Sequence, residues 1–298
     1  MANIILPFML ESSGLRGRVV WFDSLLDDIL GPHGYPEPMA LLTGEVAVLA
    51  ALLGGMLKYE GVFTLQTQGD GAVRMLVSDY TSSGDVRACA TLAEGQDIAA
   101  LSGNGIDLLG KGYIAFTVDQ GEHAERYQGI VELRGASLLD SIQYYFTQSE
   151  QIRTGVQLAV GKVNGRWHGA AIMLQDMPDE GGIAVAHESN HVSEENEHWR
   201  RAMMLLQTCT KDELLSADIG PHDLLFRLFH EEGVRVFAER AAQKGCRCSM
   251  ERVETILGTM SDDDIMHITK DGKITMSCQF CSRDFTFDPA ALGRNMES

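Results

Sequence analysis

Apolar and polar positions along the chain fall into three successive regimes. In the first, "GRVVWF" predicts a strand, Asp23 is placed to cap a helix from Ser24 to Leu30, and Pro38 suits the first turn of a long apolar helix ending near Lys58. The period then becomes two in "VFTLQTQ", "VRMLVSDY" and "DVRACATL", with Gly69-Asp70-Gly71 and Ser83-Gly84 as turns, which predicts an antiparallel meander. Further strands are expected at "YIAFTVD" and "YQGIVEL", then a helix at "SLLDSIQYYFTQ". A hairpin follows in "VQLAVGKVNGRWHGAAIML", where Asn164-Gly165 signals a type I′ turn. Neither a βαβ alternation nor an internal repeat is visible.

The stretch "QDMPDEGG", residues 175 to 182, reads as a boundary. A region of short helices is expected beyond it: one capped by Ser193, one opened by a capping box of Thr210 with Glu213, and one from Pro221 to Glu232 stopped by Gly233. Helices of this length are marginal alone, so the region depends on docking to its neighbours. In the last regime Ser249 caps "MERVETILGTM" and Ser261 with three aspartates starts another helix. Asp271-Gly272 then turns into the strand "KITMSC", with Phe285 and Phe287 alternating on the strand after it. The expected fold is α+β: a mixed N-terminal domain (1–182) with a largely antiparallel sheet, a helical linker (183–241) and a small C-terminal domain (242–298).

Composition limits the functions open to such a chain. Its 298 residues carry a formal net charge of -18, a field that repels phosphate backbones and anionic lipid and favours solubility, so neither nucleic acid nor membrane is expected as a partner. The start, "MANIILPFMLESSG", lacks a cationic segment and is interrupted by Pro7, which makes a poor signal peptide. The apolar run from Val46 to Leu57 is shorter than the ~20 residues of a membrane span and reads as a buried core helix. A cytoplasmic location follows as an expectation. There thiols stay reduced, and paired cysteines are more often metal ligands or redox centres than structural bridges.

Three motifs compete to supply the chemistry. "GIDLLGKG", Gly105 to Gly112, follows the P-loop spacing, but Gly112 stands where a hydroxyl must ligate magnesium and a strand follows, so a glycine-rich turn is the better reading. "HESNH" matches the zinc-peptidase motif at His187, Glu188 and His191. Ser189 and Asn190 are poor helix formers, however, and the expected cap at Ser193 places the helix after the motif. The third is C-x-C followed by C-x-x-C: Cys246 and Cys248, then Cys278 and Cys281. Two local thiolate pairs can close a tetrahedral zinc site, one pair before a helix N-terminus and the other on a hairpin knuckle. Such a centre can be an inert structural staple. The C-x-C pair also leaves adjacent thiols able to pair if the metal departs, although under strain. Cys89 and Cys209 read as partly buried free thiols, and Met203, Met204, Leu205 and Leu206 as an adaptable apolar patch.

These segments together carry a resemblance. With "CRC", "CQFC", "RLFHEEGVRVF", "QGDG", "GNG", "ERYQGIVEL" and "MLQDMP", the chain resembles the thirty-three-kilodalton heat-shock protein family, the redox-regulated holdase chaperones, over nearly its whole length. The resemblance implies no enzymatic activity. It implies zinc held by Cys246, Cys248, Cys278 and Cys281 in a reduced, inactive monomer. On oxidation it implies disulfides Cys246–Cys248 and Cys278–Cys281, zinc release, unfolding of the linker, dimerisation and ATP-independent capture of unfolding client proteins. The histidine-rich "HESNHVSEENEH" departs from what we associate with the family and leaves open a second metal interaction or a pH response.

Overall fold

A computed structural model describes residues 3–56, 60–96, 105–121, 126–176 and 189–289, the side chains of 189–195 excepted. Compact packing divides the chain into two units, Met1–Lys244 and Gly245–Ser298.

The first unit contains strands β1 (Ile4–Leu10) and β2 (Arg16–Phe22), then helices α1 (Leu25–Leu30) and α2 (Glu37–Gly54). Strands β3 (Val62–Gly69), β4 (Val73–Thr81), β5 (Asp85–Leu92), β6 (Gly112–Asp119) and β7 (Tyr127–Glu132) follow, and then α3 (Leu138–Tyr145). The hairpin β8 (Arg153–Val163) and β9 (Arg166–Asp176) leads to α4 (Ser189–Gln207), α5 (Lys211–Leu214) and α6 (Pro221–Phe229). Short strands β10 (Val234–Val236), β11 (Arg240–Ala241) and β12 (Gln243–Lys244) complete the unit. The first sheet runs β10-β1-β2-β9-β8 with β11 also on β1, and the second runs β12-β5-β4-β3-β6-β7. The expected meander is β3-β4-β5, paired antiparallel throughout. The expected turn holds Asn164 and Gly165 at φ 52 and 80, the left-handed values a type I′ turn requires.

Helix α2 packs against strands of both sheets. It is long and apolar enough to cross a membrane, yet most of it is buried in this interior, as expected of a core helix. Gly44 and Gly54 permit the contact, because a Cβ would lie 2.8 Å from Val160 at the first and 2.7 Å from Tyr80 at the second. The helix ends at Gly54, capped by Gly55 N–H to Ala51 O, earlier than the expected end near Lys58, which lies outside the described residues. The cap of α1 also differs from expectation. Ser24, not Asp23, is the N-cap residue, and Asn3 Oδ1 accepts the backbone N–H groups of Asp23 at 2.8 Å and Leu25 at 3.2 Å.

The alternation of the first sheet separates two cores. Ile5, Val20, Phe22, Ala171 and Met173 face α1 and α2, whereas Ile4, Leu6, Phe8, Leu10, Val19, Trp21, Ile172 and Leu174 face the opposite way. The second face is covered by Ala202 and Leu206 of α4, Leu214 of α5, and Leu224, Leu225, Leu228 and Phe229 of α6. Thr210 and Glu213 form the expected capping box, and Gly233 stops the helical run at φ 69. Ser193 is not a cap: α4 already starts at Ser189 and carries Ser193 in its interior.

The second unit packs α7 (Met250–Thr259) and α8 (Asp262–Ile268) with β13 (Thr269–Lys270), β14 (Lys273–Ser277) and β15 (Asp284–Phe287) in a three-stranded sheet. Its buried core consists of Leu257, Ile265, Ile274, Phe285 and Phe287.

Candidate metal centre

Both cysteine pairs are positioned by local structure that their sequence dictates. Ser249 caps α7 by accepting the Arg252 N–H at 3.2 Å, so Cys248 lies just before the N-terminal end of the helix, where the dipole favours negative charge. Between β14 and β15 the Cys278 N–H donates to Arg283 O at 2.9 Å and the Ser282 N–H returns to Cys278 O at 2.8 Å. Ser282 takes φ 56, and the resulting knuckle presents Cys278 and Cys281 on one side.

The four Sγ atoms lie within 4.8 Å of one another. Cys246 is 3.3 Å from Cys248 and 3.6 Å from Cys278, and Cys248 is 3.5 Å from Cys281. A tetrahedron of sulfurs about 2.3 Å from a central zinc has edges of about 3.8 Å, so the donor set fits one ion with small adjustments. All four side chains are partly buried, and Cys248 and Cys278 pack against the small apolar core.

As free thiols the group shares charge unequally. Burial works against ionisation of Cys246, but the backbone N–H of Cys248 and the thiols of Cys248, Cys281 and Cys278 outweigh it and bring Cys246 down to about 7. Burial and the donation to Cys246 push Cys248 well above the ordinary thiol range, and burial also raises Cys281. The cluster thus favours one thiolate surrounded by donors, and a divalent cation would be needed to hold several together.

The other motifs lead elsewhere. Gly105–Leu108 form a 3-10 turn followed by β6 rather than a helix, and Asp70 Oδ1 accepts the Lys111 N–H at 2.7 Å, so the P-loop spacing belongs to a glycine-rich turn. His187 and Glu188 lie outside the described residues, and His191 falls on α4. Among the described residues, the four cysteines are the group placed to share a metal. Cys89 and Cys209 stand apart from the four-cysteine group, as expected, and are buried rather than partly buried; burial with the nearby Glu213 raises Cys209 to about 11. In the methionine-leucine patch, Leu206 is buried, Met203 and Leu205 pack against the core, and Met204 remains exposed.

What sequence reasoning missed is β1. "IILPFML" is apolar on both faces, so it shows no alternation, and a proline such as Pro7 is uncommon inside a sheet. Pro7 is tolerated because it falls between β10 and β11, where its carbonyl accepts the Phe237 N–H at 2.9 Å.

Comparisons with known proteins cover the same extent. The family model described as Hsp33 protein matches residues 3–288. A 33 kDa chaperonin of Caulobacter vibrioides is 36% identical over 297 residues, covering 96% of this chain and 95% of its own. One from Proteus mirabilis is 34% identical, covering 94% and 91%. The crystal structure of a 33 kDa chaperonin from Thermotoga maritima, a heat shock protein 33 homologue, superposes with a TM-score of 0.82 at 19% identity, covering 98% of this chain and 97% of its own. With a match that begins just before β1 and ends just past β15, the chain belongs to the Hsp33 family.

Proposed function

We propose that this chain is a redox-regulated, ATP-independent holdase that binds unfolding proteins once its four-cysteine centre is oxidised. The observation that carries the reading is the gathering of four thiols in a unit whose buried core is five side chains. A core that small rarely stabilises a fold unaided, so the unit depends on the staple its cysteines can form. Cys246, Cys248, Cys278 and Cys281 would hold zinc, which when bound would keep the thiolates together and the segment 242–298 folded.

Oxidation converts the four donors into two disulfides. In each, two thiolates give two electrons to the O–O bond of a peroxide. The S–S bond forms as the O–O bond breaks, and two protons complete the water. The pairs are Cys246 with Cys248 and Cys278 with Cys281, as the family pattern implies. Each bridge removes two ligands, and the segment loses the link on which its fold depends.

The helical linker 183–241 then leaves the 1–182 core. Its docking hides Ile4, Leu6, Phe8, Leu10, Val19, Trp21, Ile172 and Leu174, a contiguous apolar face suited to unfolding chains. The net charge of -18 keeps such an exposed state dispersed in the cytoplasm. Activation brings two copies together as a homodimer.

Light scattering from a thermally aggregating client tests the reading. The reduced, zinc-loaded protein is expected to leave aggregation unchanged, and the same protein after peroxide at elevated temperature to suppress it at near-stoichiometric ratio. Equal behaviour of the two samples would make the cysteines an inert staple.

A further inference from the structure

At the rim of the apolar face beneath α4 to α6 lies a charge that the apolar docking does not explain. Glu232, in the 3-10 turn after α6, has a side chain only 3% exposed. Its carboxylate accepts Arg201 Nε at 2.6 Å on one oxygen, and on the other Arg201 Nη2 at 2.8 Å and Ser12 Oγ at 2.6 Å. Arg201 belongs to α4 and is half exposed, whereas Ser12 belongs to the turn between β1 and β2. The same turn is tied by its backbone, with the Glu11 N–H on Gly233 O at 2.8 Å and the Ser12 N–H on Glu232 O at 3.1 Å. One carboxylate therefore joins the start of the helical segment, its end and the sheet beneath.

Such a junction is stable only when complete. If α4 lifts, the guanidinium leaves with it, and Glu232 keeps a single hydroxyl as its side-chain donor. An ion with one neutral partner is costly to leave buried, so the end of α6 is driven out as well. We propose that Ser12, Glu232 and Arg201 form a polar bolt that makes release of α4 and α6 a single cooperative step and sets its threshold. The proposal rests on the reading above only in taking undocking as the activating step.

Hydrogen exchange on the reduced, zinc-loaded full-length protein tests it, with the amides of β3 to β5 as an internal control for folding. In the wild type, 199–207 of α4 and 221–229 of α6 are expected to open together. Arg201→Leu is expected to raise their common opening by about tenfold or more without changing zinc content. Arg201→Leu with Glu232→Leu, which removes both charges, is expected to recover most of the protection while the two helices now open independently. The proposal is overturned if Arg201→Leu leaves the exchange of both helices unchanged, or if the double variant shows the sum of the effects of Arg201→Leu and Glu232→Leu. Because exchange reads docking and light scattering reads client capture, the two ideas fail separately. Faster exchange in a protein that never suppresses aggregation would keep the bolt and sink the holdase.

Discussion

Glu45 sits on α2 between Gly44 and Val46, both buried, and burial raises its carboxyl to about 7 against a smaller opposing pull from Lys211 at the start of α5. In the unfolded chain the group titrates near its ordinary 4.5, so between those values the folded protein keeps a proton the unfolded chain has lost. Stability therefore falls as pH rises through that window and levels off above it. Glu45→Gln is expected to flatten the dependence of Tm on pH between about 5 and 7 and to add about 1–2 kcal/mol at pH 8, read from urea unfolding. The thiol cluster was legible at this scale because C-x-C and C-x-x-C each preorganise a ligand pair within a few residues. The cap of α1 was not, since Asn3 reaches it from about twenty residues earlier, just before β1.

Among the elements, the helices that cover the sheet were readable where their ends are local and unreadable where they are not. The box at Thr210 and Glu213 and the stop at Gly233 need only neighbouring residues. A helix that continues N-terminal of Ser193 cannot be inferred from a serine that suits a cap equally well. Phe229 anchors α6, fully buried and stacked on Phe8 with ring centroids 6.1 Å apart. Phe229→Ala is expected to weaken docking by about 3–5 kcal/mol, seen as faster limited proteolysis within α4 to α6 in the reduced protein. Unchanged proteolysis would mean that the segment is held by something other than this face.

For the whole molecule, the two units should differ in what holds them. The first has cores on both faces of a six-stranded sheet, while the second has five buried apolar side chains beside its thiols. Stripping metal from the reduced protein with a strong chelator is expected to abolish amide protection in 250–289 and leave β3 to β5 protected, with zinc restoring the lost protection. Retention of protection in 250–289 without metal would show that this unit folds on its small core alone.

Whatever depends on neighbours along the chain could be read from its residues: the period-two strands, the Asn164-Gly165 turn, the caps at Ser249 and Ser261 and the two local thiol pairs. Which face of the first sheet the helices cover was fixed by packing between distant parts of the chain. The same packing also decided that Asn3 caps α1, that "IILPFML" is a strand, and that residues after Gly233 return as β10 and β11 on β1. The difference is one of range. Turn, cap and knuckle energies are settled within a few residues, whereas a strand apolar on both faces acquires its place only when two distant layers close over it.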